Sequence, residues 1–482
     1  MQVYAFFWFD VEDYITAESD VALGRLIEIL DRHGLQATFK MVGEKVRGLR
    51  QRGHYDILAR LQAHDIGYHT DYHSKPPSIS EYALQLGWQG GIEEFLRREQ
   101  DGLETLCKAF GRTPSCYGQP GGAWAPQVYP ALQMWGIPVY LDSGPWIALD
   151  GRPHRYCGVL DMLGLEHVLH IGIGGGQEKV LECQMHLAAA VDRLRHIGGE
   201  VSLYAHECEF VTQAFWDALN YAGGQDTPRE RWKPAPLLAE AEREARYAAM
   251  DAFLTFVQSL PEVNVVVAAQ APALYPDRAR GQTFTPQQVA EVCAPMADAV
   301  THQQCGGTGE GGQQDAGDPF DGLWLSPAEV YGLAVSLLAA RVRSGRWPER
   351  VPYRYFDGPP DPPAVEIASD ALALDDVFGT CLYEDAYLDA YLQMPAQVQV
   401  GRTWLSPADF LATIGAALPR WLEGHTDDAP IVSAPLAQAA YVADRVSWDW
   451  PIFPPGFNGD PLLELGRLQA WTLKPAPLGG LG

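Results

Sequence analysis

Residues 6 to 13 read FFWFDVED, Phe6 to Asp13, an apolar run that ends in three acids within four positions. With Val3, Tyr4 and Ala5 before it, the run has the aromatic, β-branched character of a buried strand. Side chains two apart in a strand share a face, so Asp10 and Glu12 project together into one cavity at its end, while Asp13 points elsewhere or begins the loop. A single acid behind a strand is ordinarily a loop residue that caps the next helix. Three acids directly behind Phe, Phe, Trp and Phe favour a site.

Outward from this stretch the chain alternates. DVALGRLIEILDRHG has a helical apolar period and stops at a glycine, and QATFKMVG reads as the next strand. The rhythm continues through HYDILARLQAHD, IGYH, GGIEEFLRREQDGLETLCKAFG, VYPALQMWG, PVYLDS, CQMHLAAAVDRLRHIG, EVSLYAHE, EAEREARYAAMDAFLTFVQSLP and VNVVVAA. Strands alternating with helices imply parallel strands and helical crossovers, and six or seven such units in about 275 residues fit a barrel better than an open sheet. The active site of such a barrel lies at the C-terminal strand ends.

The chain has 482 residues, 47% of them hydrophobic and 20% charged, which is globular composition for two or three domains. Its net charge of -26, with 61 acids against 35 bases, argues against nucleic acid and against an anionic membrane surface. Strand-like sequence follows Met1 almost at once, without a basic n-region or apolar h-region, so a cytoplasmic location is expected. No apolar stretch is long enough to span a bilayer. Eight cysteines (Cys107, Cys116, Cys157, Cys183, Cys208, Cys293, Cys305 and Cys381) form no CxxC pair, which argues against a zinc ribbon or redox dithiol.

GYHTDYHS, residues 67 to 74, sets His69 and His73 four apart. If the segment turns helically, both imidazoles lie on one side, an arrangement suited to a divalent ion. Together with Asp10 and Glu12 they make a two-histidine, one-carboxylate set with a carboxylate to spare as base.

The ordered stretches FDVED, LDRHGLQATFKMVGEKV, DIGYHTDYHS, QPGGAW, VYLDS and VSLYAHECE resemble the motifs of polysaccharide deacetylases with a NodB homology domain, across roughly residues 1 to 275. The H-[ST]-x-x-H element is met by His69, Thr70 and His73. The resemblance implies a distorted (β/α) barrel of seven or eight strands and metal-dependent removal of acetyl groups from N-acetylated sugars. It further implies Asp10 as catalytic base, an acid of the first motif with His69 and His73 as metal ligands, His206 as general acid, and Asp142 as the carboxylate that tunes it. Glu12 is the ligand expected from strand parity, with Asp13 in reserve. The ligand set suggests zinc. Pro120, Gly122, Trp124 and Trp146 are candidate substrate contacts, and Trp216 is a further aromatic that could stack on a sugar. His154, His167 and His170 lie between the matched strands and read as ordinary polar residues, while Gly174, Gly175 and Gly176 lack the order of a phosphate loop.

Two features depart from the family. Its third motif carries an arginine that orients the base, and here Gly118 or Gln119 stands there; Arg152 or Arg155 is the expected substitute, reaching back from another loop. The second departure is address: members acting on exported polymers carry a secretion signal, and a cytoplasmic member is expected to act instead on a soluble or lipid-linked glycan precursor or a small non-sugar amide. The segment FWDALNYAGGQDTPRERWKPAP, with Asn220, Arg229, Arg231 and Trp232, reads in addition as an insertion overhanging the mouth that restricts access to short substrates. Domain boundaries are expected at 1–280 for the barrel, 281–322 for a helix and a Gly/Gln/Asp-rich linker, and 323–482 for a mainly helical region. There WLSPAEVYGLAVSLLA and WLSPADFLATIGAALP share Ser326 and Ser406 as N-caps, Pro327 and Pro407 at the first helical position, and Glu329 and Asp409 as capping acids. FTPQQVAEVCAPMA resembles a degenerate third copy. This region is expected to serve oligomer or partner contact. The competing functional readings are a hydrolase of a small non-sugar amide or O-acetyl ester at the same site, and a non-catalytic glycan-binding protein.

Overall fold

Successive side chains of the first strand go to different cores, and this alternation organises the N-terminal half. In the computed structural model, which describes residues 1–170, 177–297 and 323–479, β1 spans Val3–Val11. Val3, Ala5, Phe7, Phe9 and Val11 pack in the cluster that includes the flanking helices. Tyr4, Phe6 and Trp8 instead join Cys116, Val139, Leu141, Leu160, Met162 and Val266. The period-two pleat divides them, and Asp10 and Glu12 continue the second series.

The other strands are β2 (Thr38–Met41), β3 (Asp65–Tyr68), β4 (Cys116–Tyr117), β5 (Val139–Tyr140), β6 (His154–Tyr156), β7 (Val159–Asp161), β8 (His167–His170), β9 (Gly199–His206) and β10 (Val263–Val266). They run in the order β7-β5-β4-β3-β2-β1-β9-β8, with β10 also on β1. Each neighbouring pair in that order is parallel. Side chains of β1 and β7 share one cluster although β2 to β5 stand between them in the sheet, which requires the sheet to curl over on itself. Among the described residues no ladder joins β7 to β8, so the barrel is open there. The expected distorted barrel, followed by a helical region, is the observed architecture. Three helices end where glycines predict: Glu18–His33 at Gly34, Gly87–Phe110 at Gly111 and Val128–Trp135 at Gly136, each glycine left-handed. The β6–β7 hairpin was not expected from the sequence, because strands of three residues carry too little pattern to declare themselves.

A second core is built from Pro286–Cys293, Pro327–Ser344, Leu374–Tyr391 and Pro407–Leu422. Ser326 Oγ accepts from Glu329 N, Ser406 Oγ from Asp409 N, and Thr285 Oγ1 from Gln288 N, so the three similar segments begin their helices in the same way. The segment 323–482, expected as one region, divides its buried residues between the two cores. Val442, Phe453, Leu462, Leu463 and Leu473 pack into the barrel's cluster, and Lys474–Pro475 adds antiparallel to β6. The proposed linker 302–322, Gly174, Gly175, Gly176, Cys305 and the side chain of His170 lie outside the described residues. Among the described residues no helix is long and apolar enough to cross a membrane.

Candidate active site

Asp10 is flanked across the sheet by two register partners. Lys40 lies opposite it on β2, and His206 on β9. Partners in parallel register point to the same face, so three charge-bearing groups from distant sequence positions meet at the C-terminal end of the barrel. Asp10 is 2% exposed, and its Oδ2 stands 3.9 Å from His206 Nε2. Burial opposes its ionisation, but His69, Lys40 and His206 outweigh burial and hold the carboxyl below the usual range.

Glu12, one residue beyond β1, turns to the two histidines. Its Oε2 is 3.2 Å from His69 Nε2 and 2.8 Å from His73 Nε2. Asp13 does not share this site: its Oδ1 accepts from the backbone N–H groups of Ile15 and Thr16, an Asx turn that leads into the first helix. Glu207, unmarked in the sequence reading, accepts from the N–H groups of Glu12 and Asp13 and pairs with Lys45. It fixes the backbone from behind.

The histidine pair is not helical. It sits in a loop after β3 in which Thr70 and His73 adopt positive φ, 66° and 55°. A tight left-handed turn, rather than helical periodicity, brings the rings to 4.8 Å between centroids. Such backbone in non-glycine residues is held only by surrounding contacts. His69 Nδ1 donates to Gly118 O at 2.9 Å. His73 Nδ1 faces Ser74 Oγ at 2.5 Å, and Ser74 Oγ donates to Asp217 at 3.0 Å. Both Nδ1 atoms are engaged, so both Nε2 atoms face Glu12, which is how a protein orients imidazole ligands.

These residues fit a divalent cation. Donors about 2.1 Å from one tetrahedral centre stand roughly 3.4 Å apart; the Glu12–His69 separation of 3.2 Å is close to this, and the Glu12–His73 separation of 2.8 Å is shorter. His73 Nε2 is buried without a hydrogen bond, although Glu12 lies beside it. Glu12, His69 and His73 are grouped compactly enough to share one ion, and Asp10, Glu12 and His206 form an overlapping group. Burial opposes the charge on Glu12, yet His73 and His69 hold its carboxyl well below the usual range.

The partner of His206 is not Asp142. His206 Nδ1 is 3.2 Å from Glu209 Oε2, and its Nε2 is 2.7 Å from Tyr204 Oη. Burial disfavours the imidazolium, but Glu209, Glu12 and Asp10 together lift the pKa to about 10. Glu209 sits one turn past the end of β9, in a short 3-10 turn, and its backbone carbonyl accepts from Arg246.

Asp142 instead belongs to Lys40. The ammonium lies 2.7 Å from Asp142 Oδ2 and 2.9 Å from Asp10 Oδ1, with the Trp8 ring 3.9 Å away. It is fully buried; burial opposes its charge, and the two aspartates restore it and raise its pKa. Arg152 and Arg155 do not reach the site. Arg155 donates to Tyr275 O at 2.6 Å and lies beside Asp277, and Arg152 is exposed. A Cβ on Gly118 would overlap the Lys40 ammonium and Asp142, and one on Gly67 would stand 2.7 Å from Lys40 Cγ. The two glycines leave room for a cation delivered from β2.

The cavity over these groups measures 390 Å³ and is lined also by Gln119, Gly121, Ser143, Phe215, Asp217, Trp450 and Pro451. Four expected substrate contacts are absent from that lining. Trp124 is fully buried and stacked on Trp146 at 5.9 Å, with Trp146 itself 5% exposed; both rings serve the core. Pro120 and Gly122 flank Gly121, which is the lining residue. Trp216 is fully buried, and its Nε1 donates to Glu12 Oε1 at 3.1 Å, so it holds a ligand instead of stacking on a sugar. Of the overhanging insertion, Phe215, Asp217 and Ala218 reach the cavity. Asn220 is buried and ties Trp216 O to Lys233 O, Arg229 pairs with Glu44, Trp232 packs on Tyr14, and Arg231 is exposed. His154 and His167 lie away from the lining, against Asp161 and Ser202.

No family model and no curated protein matches the chain. Among solved structures it is similar to a protein assigned as a polysaccharide deacetylase from Mycobacterium smegmatis, at 16% identity over 56% of this chain and 89% of that one, TM-score 0.34. It is also similar to the PuuE allantoinase, at 14% identity over 57% and 91%, TM-score 0.39. A third is a CE4-family pseudoenzyme from Bacillus anthracis, at 12% identity over 55% and 64%, TM-score 0.30.

Proposed function

We propose that the chain is a metal-dependent amide hydrolase that removes the acetyl group from an N-acetylated sugar. The observation that carries this reading is the convergence of Glu12 with His69 and His73 beside two further ionisable groups, Asp10 and His206, at one end of the barrel. The order and identity of the motif residues, which resemble those of polysaccharide deacetylases, support the choice of substrate.

Glu12, His69 and His73 would hold a divalent cation, zinc being suited to the set, and bound there it would supply Lewis-acid polarisation of an amide carbonyl and acidification of water. Asp10, paired with the Lys40 ammonium, accepts the proton of the attacking water. The carbon–nitrogen bond breaks only as the leaving nitrogen gains a proton, and His206 donates it from Nε2. Glu209 on Nδ1 keeps that imidazole charged and directed into the cavity. Asp10 and His206 thus divide the base and acid roles, each worth on the order of 100-fold to 10,000-fold in rate. A binding protein would have no use for this pair.

The test is acetate release from N-acetylglucosamine and its oligomers by zinc-loaded protein, against Asp10→Asn and His206→Gln variants. Turnover by the wild type and its near-abolition in both variants is expected. Equal acetate release from the Asp10→Asn protein would contradict the reading. Hydrolysis of a small non-sugar amide by the same residues is the second reading, favoured by the modest cavity volume.

A further inference from the structure

The cavity's outer wall comes from the far end of the chain. Trp450 and Pro451 line it together with Asp10, Glu12, His69 and His73, and the Trp450 ring stands edge-on to His73 at 6.0 Å. They belong to the stretch from Val446 to Phe457, which is anchored on both sides of the mouth. On one side Ile452 is fully buried among Tyr14, Val42, Trp216 and Tyr221. There Gly223 N donates to Pro451 O and Gly224 N to Ile452 O, both at 2.8 Å. On the other side the Trp450 indole covers Gly121 so closely that a Cβ there would overlap it, and a Cβ on Gly122 would stand 3.5 Å from Phe453 Cε2. The stretch is braced internally, with Phe453 stacked on Phe457 at 4.3 Å and Trp448 Nε1 donating to Asp460 at 3.2 Å. It therefore runs from the loop after β4 to the loop after β9, two of the loops that wall the cavity.

We infer that this stretch is a built-in strap that confines the site to small amides, of the size of one or two sugar units, and bars an extended glycan chain. The inference rests on the hydrolase reading above. An extended chain laid across the mouth would have to displace Trp450 and the buried Ile452 with it. The volume of 390 Å³ is near the low end of the roughly 300 to 1,000 Å³ typical of ligand pockets.

The experiment compares zinc-loaded wild type with Trp450→Ala and the milder Trp450→Phe. The substrates are N-acetylglucosamine, its dimer and hexamer, and a panel of small non-sugar amides. The wild type is expected to favour small amides over the hexamer by about tenfold or more in kcat/KM. Trp450→Ala should shift the hexamer-to-monomer ratio toward the hexamer, with Trp450→Phe between. Wild-type turnover of the hexamer equal to that of the monomer, or a ratio unmoved by Trp450→Ala, would overturn the strap while leaving the hydrolase reading standing. If no substrate of any length is hydrolysed, the hydrolase reading fails. Calorimetric binding of hexamer and monomer to the same zinc-loaded proteins then decides the strap, and equal binding by the wild type overturns it.

Discussion

Asp10 shows how a single position acquires its chemistry from neighbours that the linear sequence hides. Its two register partners, Lys40 and His206, come from β2 and β9. Lys40 is the positioning residue for the base, and Lys40→Met should lower kcat by about 100-fold or more while zinc stoichiometry is retained. Lys40→Arg should recover part of the loss. Unchanged kcat in Lys40→Met would contradict the role. His206 carries a pH signature. Its folded pKa is raised from 6.5 to about 10, so in the metal-free protein its contribution to stability is whole below pH 6.5 and is lost as pH rises through about 10. The difference in denaturation midpoint between metal-free wild type and His206→Gln should therefore shrink on going from pH 6.5 to 10. A constant difference would refute the assignment. Asp10, Glu12, His69, His73 and His206 were legible because strand parity and motif order mark them. Glu209 and Lys40 were not, although a lysine inside the otherwise apolar strand of ATFKMV was a signal available to be read: a charge there must find a buried partner.

Within single elements, the period of two in β1 was decisive. It separates Phe7 and Phe9 from Trp8 and Asp10 and so assigns Glu12, rather than Asp13, to the histidines. Loop geometry was less legible. The HTDYH segment carries helical spacing but is a turn with two positive φ angles, and the β6–β7 hairpin is too short to show a pattern. Trp124 and Trp146 illustrate the limit for aromatics, since composition cannot tell a core ring from a substrate platform. The glycines beside Lys40 give a test at this scale. In Gly67→Ala the new methyl would stand 2.6 Å from Cys116 Sγ and 2.7 Å from Lys40 Cγ. Overpacking of this kind costs about 1–3 kcal/mol, measurable by urea denaturation, and it should lower kcat by pushing Lys40 off its aspartates. Full stability together with full activity would show that Lys40 has slack.

Across the whole molecule, two cores share one seam. Lys474, 3% exposed, pairs with Glu329 at the start of a helix in the second core and with Asp277 beyond β10, both at 2.9 Å. Removing one partner of a buried ion pair strands the others, at a cost of about 3–5 kcal/mol. Lys474→Met should therefore destabilise the chain by that order in urea. A variant as stable as wild type would show that the seam is held elsewhere. The second, helical region and its capped helices were legible in the sequence, but the return of its final segment over the barrel was not, since nothing local in WDWPIFPPGF states which surface it covers. The account as a whole turns on one cation site, and zinc binding measured by calorimetry on wild type and on the His69→Ala/His73→Ala double variant tests it most directly. One zinc per wild-type chain, with binding weakened at acidic pH as the imidazoles take up protons and lost in the double variant, is the predicted result. A wild type that takes up no zinc, or a double variant that binds it as tightly as wild type, would contradict the account.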